Sequence, residues 1–465
     1  MGERCHTKIR LFPLRVVAKS VEKSRSGDYS CSCSGGNMKS RTLVWITTIT
    51  LLLALAIPVG MATQGQDQQP NDYVVTDLGT FGGIAGAATA VNNRGSVVGN
   101  AFDPEGTASR AFLWQNGAAT DLGTLGGPNS RAAFLNERGE VAGWAETSTP
   151  DPLGENRCGS GLICLPFLWK DGVMAPLPTL GGNGFATGIN NRGQVVGEVE
   201  NTTPDPTCPS PSTTLEIKAV VWEKGEIQQE LPTIGGDPDG FVQAINDNGQ
   251  AVGVTGDCIS DLHAVLWNKG IPTDLGTLSG SLLEPVAINN KGQIVGFALS
   301  PDGLRAFLWQ NGAATDLGTL PPDGNSLALG INNKGQIVGD SCDADFSCRA
   351  FLWQDGAMTE LNTLVRSPNA PFLEEGFGIN SHGQIAGRTT VQGTPLADAY
   401  LATPSPGEAN RQHNDDNRVS ENATPTVTNT TSPKPRVVSP EDLRRVLRQR
   451  LGFQYRVPGL GIPKD

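Results

Sequence analysis

The chain is poor in the residues from which active sites are usually assembled. Of 465 residues only 4 are histidine, 18% are charged and 6% are aromatic. Past residue 62 the part that reads as folded holds two histidines, His263 and His382. A Ser-His-Asp relay or a multi-histidine zinc site needs more than these can supply. HExxH, G-x-x-x-x-G-K-[ST] and G-x-S-x-G do not occur, and no CxxC pair follows residue 62. Long helical periodicity is equally scarce. In its place stand Gly 58 and Pro 32, a turn-rich composition that favours short strands over helices.

Uncharged apolar runs are rare too, with one exception at 43–60. It follows Lys39 and Arg41 and precedes the small residue Ala62, which is the layout of a secretory signal peptide at 38–62. The run matches the shortest spanning helices, so an uncleaved anchor is the alternative and the one route to a membrane. Residues 1–37 fit neither reading and are taken as an over-extended start, with 63–72 a linker. Export places the protein outside the cell, in the periplasm or on the cell surface. It suits the six cysteines beyond the leader: Cys158, Cys164, Cys208, Cys258, Cys342 and Cys348. Between 63 and 403 the chain carries 16 Lys and Arg against 37 Asp and Glu, a net of −21. Such a body repels phosphate backbones, which argues against nucleic acid as a partner.

Three elements recur in order. The first is VNNRGSVVG (91–99), LNERGEVAG (135–143), INNRGQVVG (189–197), INDNGQAVG (245–253), INNKGQIVG (288–296 and 331–339) and INSHGQIAG (379–387). The second, AFLW-x-x-G, follows each copy and ends as a worn AYLATP at 399–404. The third is DLGTFGG (77–83), DLGTLGG (121–127) and their later variants, one before each copy. In N-x-x-G the Asn and Gly are expected to supply left-handed backbone for a tight hairpin with a bulge; W-x-[NDK]-G makes a second hairpin. Each unit of about 43–56 residues therefore holds four short strands.

AFLW is apolar on both faces and belongs inside a stack of sheets. The lone strand YVVTDLG (73–79) lacks an AFLW partner before it, and AYLATP lacks a DLG strand after it. Each supplies what the other is missing. The fold expected for 73–403 is thus an all-β, seven-bladed β-propeller of four-stranded blades closed by the N-terminal strand. An open β-solenoid is the rival architecture.

The DLGTLGG, INxxGQxVG and AFLW elements together resemble the HAF-repeat family of predicted extracellular bacterial proteins, over roughly residues 73–403. The naming His-Ala-Phe is mostly replaced: Arg110, Arg305 and Arg349 precede Ala-Phe, and His263 precedes Ala-Val. The resemblance implies export and repeats, and brings no activity or catalytic residue. Beyond it, 404–438 reads as a disordered linker, and 439–465 as a tail whose 440–451 forms a short basic amphipathic helix.

Asp77, Asp121, Asp274 and Asp316 recur at one repeat position, so each is expected to make the same structural hydrogen bond. Asp340, Asp343 and Asp345 share a loop and are the candidate ligands for a calcium ion; no other cofactor is expected. Between the final Gly of the first element and AFLW most copies have 9 to 11 residues, whereas 144–165 and 198–218 are about twice as long. All six cysteines lie in these links. Cys158 with Cys164, Cys342 with Cys348 and Cys208 with Cys258 are the expected disulfides. Elaborated links on a rigid ring point to binding. The function expected is a non-catalytic scaffold for an extracellular glycan, peptide or envelope protein. A secreted carbohydrate hydrolase or lyase working through loop carboxylates, or a structural surface protein, are the alternatives.

Overall fold

Each W-x-x-G hairpin has a two-residue loop. Its first loop residue (Asn116, Asp171, Lys224, Lys269, Asn311 or Asp355) has φ of 51–56°, and the glycine after it 74–86°. Two consecutive positive φ values define a type I′ turn, whose twist matches the flanking strands. The N-x-x-G turn is built otherwise. Its glycine alone is left-handed, and the Asn expected to share that role does not appear among the positive-φ residues. That Asn does something else, described below.

The glycine ending each first element has a steric reason. A Cβ at Gly99, Gly143, Gly197, Gly253, Gly296, Gly339 or Gly387 would overlap a carbonyl oxygen of the neighbouring strand. The pairing shifts register beside each of them, as between Ala88 and Ala90 or between Val242 and Ala244.

The computed structural model describes residues 72–405, apart from 81, 209–213, 258–261, 301–302, 367–368 and 391–396. The expected signal peptide at 38–62, the linker at 404–438 beyond 405, and the helix at 440–451 lie outside the described residues. Among those described, no helix is long and apolar enough to cross a membrane.

The strands form seven antiparallel sheets. Blade 1 runs Gly86–Val91, Val97–Phe102, Ser109–Gln115 and Ala118–Asp121, and blades 2 to 6 repeat the order. Blade 5 adds a two-residue strand, Thr277–Leu278. The first strands of consecutive blades touch around the ring, blade 7 touching blade 1, so they are the innermost. Blade 7 comprises Phe372–Ile379, Ile385–Thr390 and Ala399–Pro404, with Tyr73–Gly79 from the N-terminus as its fourth strand. The ring is a seven-bladed β-propeller closed by its first strand.

Core clusters straddle consecutive blades. Val98 and Leu113 pack with Ala132 and Phe167, and Ala88 and Phe112 pack with Ala386 and Leu401 across the closure. Tyr73, 1% exposed, sits among Leu361, Leu373 and Tyr400, and its hydroxyl donates to Gly383 O at 3.2 Å. Burial pushes that phenol up to about 12.

The closing seam differs from the other blades in charge. In three other blades the arginine before Ala-Phe pairs with the acid at the end of the outer strand: Arg110 with Asp121 at 3.0 Å, Arg305 with Asp316 at 3.1 Å, Arg349 with Glu360 at 2.7 Å. His263 stands 3.8 Å from Asp274. In blade 7 the base is replaced by Asp398, facing Asp77. Burial first, and then the Asp77 charge, raise the Asp398 pKa. A carboxyl whose pKa is higher folded than unfolded takes stability away as pH rises through that window, so at neutral pH this pair opposes closure. Asp398→Arg should restore the repeat's ion pair and stabilise the fold by about 0.5 kcal/mol at pH 7, with the gain shrinking in acid, where a neutral Asp398 no longer opposes closure. Thermal melts at pH 4 and pH 7 measure this. An unchanged or lower melting temperature at pH 7 contradicts the seam reading.

Candidate functional site

At the N-x-x-G end of the ring the seven asparagines form a closed circle. Each donates from Nδ2 to the backbone oxygen of the equivalent residue in the next blade: Asn92 to Asn136, on to Asn190, Asn246, Asn289, Asn332 and Asn380, and from Asn380 back to Asn92. The distances are 2.8–3.3 Å. The remaining Nδ2 proton of Asn190 goes to Gln194 within its own turn, and Asn246, Asn289, Asn332 and Asn380 repeat this with the Gln of the motif. Oδ1 accepts two backbone N–H groups of the same turn, as in Asn190 from Arg192 and Gln194, both at 3.0 Å. The residue after each asparagine adds a second set of bonds between neighbouring turns. Glu137 N–H donates to Asn191 Oδ1, Asn191 N–H to Asp247 Oδ1 and Asp247 N–H to Asn290 Oδ1. Burial works against the Asp247 charge, but the N–H groups of Asn191 and Asn290 outweigh it and lower its pKa.

A cavity of about 210 Å³ lies inside this circle. The carboxamides at its rim spend their hydrogen-bonding capacity on neighbouring blades, which makes that end architectural.

Side-chain identity varies at another level of the same strands. Five residues before each asparagine, and directly after each final glycine, stand cross-strand partners on one face of the hairpin: Ala87 with Asn100, Arg131 with Trp144, Phe185 with Glu198, Phe241 with Val254, Glu284 with Phe297, Leu327 with Asp340 and Glu375 with Arg388. The layer thus gathers two arginines and four acids near the link end of the innermost strands. Glu198, Glu284, Asp340 and Glu375 are all at most 5% exposed. Desolvated charge at this density is the signature of a functional site more than of a stabilising one.

Two ion-pair groups hold it. Arg157, from the long link of blade 2, reaches blade 3 and donates to Glu198 Oε1 and Glu200 Oε1, each at 3.0 Å, with its guanidinium 5.2 Å over the Phe185 ring. Burial disfavours the Arg157 charge, but Glu200 and Glu198 outweigh it and raise its pKa. Burial likewise opposes ionisation of Glu200, and Arg157 outweighs it and lowers that pKa. In blade 7 Arg388 lies 3.2 Å from Glu375 and 3.4 Å from Glu374, and Glu375 is the main cause of its raised pKa. Arg131 is half-buried. Burial pushes its pKa down to about 10, with the Arg388 charge adding to the effect and Glu375 opposing it.

The residues singled out from the sequence are placed as follows. Cys158 is bonded to Cys164 and Cys342 to Cys348, with Cα–Cα separations of 6.3 and 4.1 Å. Cys208 is also disulfide-bonded, and Cys258 lies outside the described residues. The three acids of the expected calcium loop do not converge. Asp340 is fully buried on the strand Ile337–Cys342 and belongs to the charged layer. Asp343 Oδ1 accepts the N–H groups of Asp345 and Ser347 at 2.9 Å, closing its own turn. Side-chain groups near enough to share an ion, among the described residues, include neither Asp343 nor Asp345, and those found contain disulfide cysteines that have no thiolate to give. Asp77, Asp121, Asp274 and Asp316 each accept the N–H of the glycine two residues on at 2.8 Å, the repeated structural bond expected of them.

Arg131, Trp144, Arg157, Glu198, Glu200, Glu284, Glu375 and Arg388 were not singled out by sequence reasoning. For all but Arg157 and Glu200 the available signal was variation at two fixed offsets within an otherwise strict repeat.

The chain matches no protein-family model and no curated protein. Among solved structures it is similar to prolyl endopeptidases (11% identity, TM-score 0.48, covering 68% of this chain and 48% of that one). It is also similar to the β-propeller domain of the Trilobed protease from Pyrococcus furiosus (12%, 0.42, 62% and 85%) and to oligogalacturonate lyase from Vibrio parahaemolyticus (10%, 0.45, 72% and 98%). The chain spans less than half the length of the peptidases from Pyrococcus horikoshii and of the prolyl endopeptidase type that it matches. These likenesses concern the propeller fold alone.

Removing Arg157 should be costly, because Glu198 and Glu200 would remain buried without their counter-charge. Arg157→Ala should lose roughly 3–5 kcal/mol in chemical denaturation at pH 7. Since the Glu200 pKa is lowered on folding, the stability it adds is present above the unfolded value and disappears as pH falls through the folded one. The variant's deficit should therefore narrow in acid. A loss under about 1 kcal/mol contradicts the inter-blade clamp.

Proposed function

We propose that the protein is an exported, non-catalytic propeller that binds an extracellular glycan, peptide or envelope protein on its link-bearing side. The observation that carries this reading is the charged layer. Seven copies of one repeat keep Asn and Gly at the opposite end, yet place Arg131, Glu198, Glu284, Asp340, Glu375 and Arg388 where the repeat imposes nothing. Long links, the Cys158–Cys164 bridge and the Arg157 clamp stiffen the same side, and pre-organised loops on a rigid scaffold favour binding. His382 belongs to an N-x-x-G turn and His263 stands beside Asp274 of the outer strand, so both histidines have structural placements. Resemblance to the HAF-repeat family supports the same extracellular setting, as do the disulfides.

The purified chain, applied to combined glycan and protein arrays, should retain at least one ligand without altering it. Neutralising the layer at Glu284 (Glu284→Gln), which leaves the Arg157 and Arg388 ion pairs intact, should weaken that retention while the melting curve stays cooperative. Retention by no probe, or turnover of the bound one, contradicts a non-catalytic scaffold.

A further inference from the structure

Most charges of the layer are matched. Arg157 has Glu198 and Glu200, and Arg388 has Glu374 and Glu375. Arg131 is the exception. Its guanidinium makes no hydrogen bond and no ion pair among the described residues, although it is half-buried on the innermost strand of blade 2. Blade 1 has the small, uncharged Ala87 at the equivalent position, so it brings no acid to Arg131 there.

Directly opposite Arg131 across the hairpin, on the same face, stands Trp144. It is 7% exposed, and its indole Nε1–H is buried without an acceptor. The ring itself is fixed. It meets Phe185 edge-on, with centroids 5.8 Å apart and planes at 79°, and it packs on Cys158 and Cys164. Two neighbouring donors, one charged and one neutral, thus lack acceptors within the described fold. A buried donor left unmet carries a free-energy penalty that a ligand acceptor removes.

We infer that Arg131 and Trp144 form a carboxylate-binding site, with the guanidinium fork taking both oxygens of the ligand and the indole N–H taking a second bond from one of them. A planar monoanion fits the donors better than phosphate does. One arginine and one neutral N–H balance a single charge, and the nearby Glu375, together with a body at −21 over 63–403, repels a dianion. The Trp144 ring, cross-strand from Arg131, supplies the apolar surface beside the fork. Carboxylates of this kind come from acidic sugars or from peptide C-termini. The site rests on the reading of this side as a binding surface and narrows its ligand.

Titration calorimetry on the full chain decides between the two sources. D-glucuronate is compared with D-glucose, and N-acetylglycine with its amide. At least one acid should bind, and at least tenfold more tightly than its neutral counterpart. Arg131→Gln should weaken that acid at least tenfold, Arg131→Lys should recover part of the loss, and Trp144→Phe, which keeps the ring packing, should weaken it severalfold. Because burial and the Arg388 charge outweigh the Glu375 attraction at Arg131, Arg131→Gln should melt at the same temperature or higher. Failure of both acids to bind, equal binding by Arg131→Gln, or a lowered melting temperature in that variant would overturn the site. A ligand retained on the arrays regardless of Arg131→Gln removes this inference and leaves the scaffold standing. An acid that binds through Arg131 while the arrays retain nothing supports the site and removes the broader reading.

Discussion

The ring depends on one carboxamide used seven times. Each motif asparagine stands at the end of an innermost strand, where it folds its own turn through Oδ1 and grips the next blade through Nδ2. A blade is a four-stranded sheet buried on both faces, and apolar packing between blades is broad but unspecific about angle. Seven directed hydrogen bonds, each to a backbone oxygen at the same place in the next copy, fix the angle and so the number of blades that close. The last of them, from Asn380 to Asn92, joins the last blade to the first across 288 residues of sequence. The strand Tyr73–Gly79 then seals the edge that would otherwise remain open.

Fixing the geometry at one end frees the other. The links between second and third strands can lengthen without disturbing the asparagine circle, and those of blades 2 and 3 have done so. Longer links introduce their own constraints: a disulfide within the Cys158–Cys164 loop, and Arg157 laid across Phe185 onto two acids of the following blade. Ionic groups this deep are a weak source of stability, since desolvation offsets most of their attraction. Their concentration beside Arg131 and Trp144 is better explained by recognition. Clamps such as Arg157 and Arg388 hold the acids in place and neutralise them, while Arg131 keeps its donors available.

Much of the architecture could be read from the repeats, because a blade is a local unit. Hairpin loops, strand alternation and the complementary loose ends at 73–79 and 399–404 are all visible along the chain. The common hydrogen bond of Asp121 and its equivalents was visible for the same reason: it closes within two residues. What could not be read involved partners in another blade. Asn92 looked like a residue chosen for its backbone, because its real partner is Asn136, one repeat away. Asp340 looked like a companion of Asp343 and Asp345 because they are near in sequence, yet strand pairing turns it inward toward Leu327 while Asp343 caps a turn. Arg157 hid in an irregular link, and Arg131 hid at a position where repeat alignment shows only disagreement.

The asparagine circle is tested most directly by Asn380→Asp. This change keeps the oxygen that caps the turn and replaces the donor with a second acceptor facing the Asn92 carbonyl. Measured by urea denaturation against Asn333→Asp, an exposed neighbour whose Oδ1 role survives the change, it should lose about 2–4 kcal/mol while the control stays within about 0.5. Equal stability of the two variants would contradict the claim that these side chains hold the ring closed.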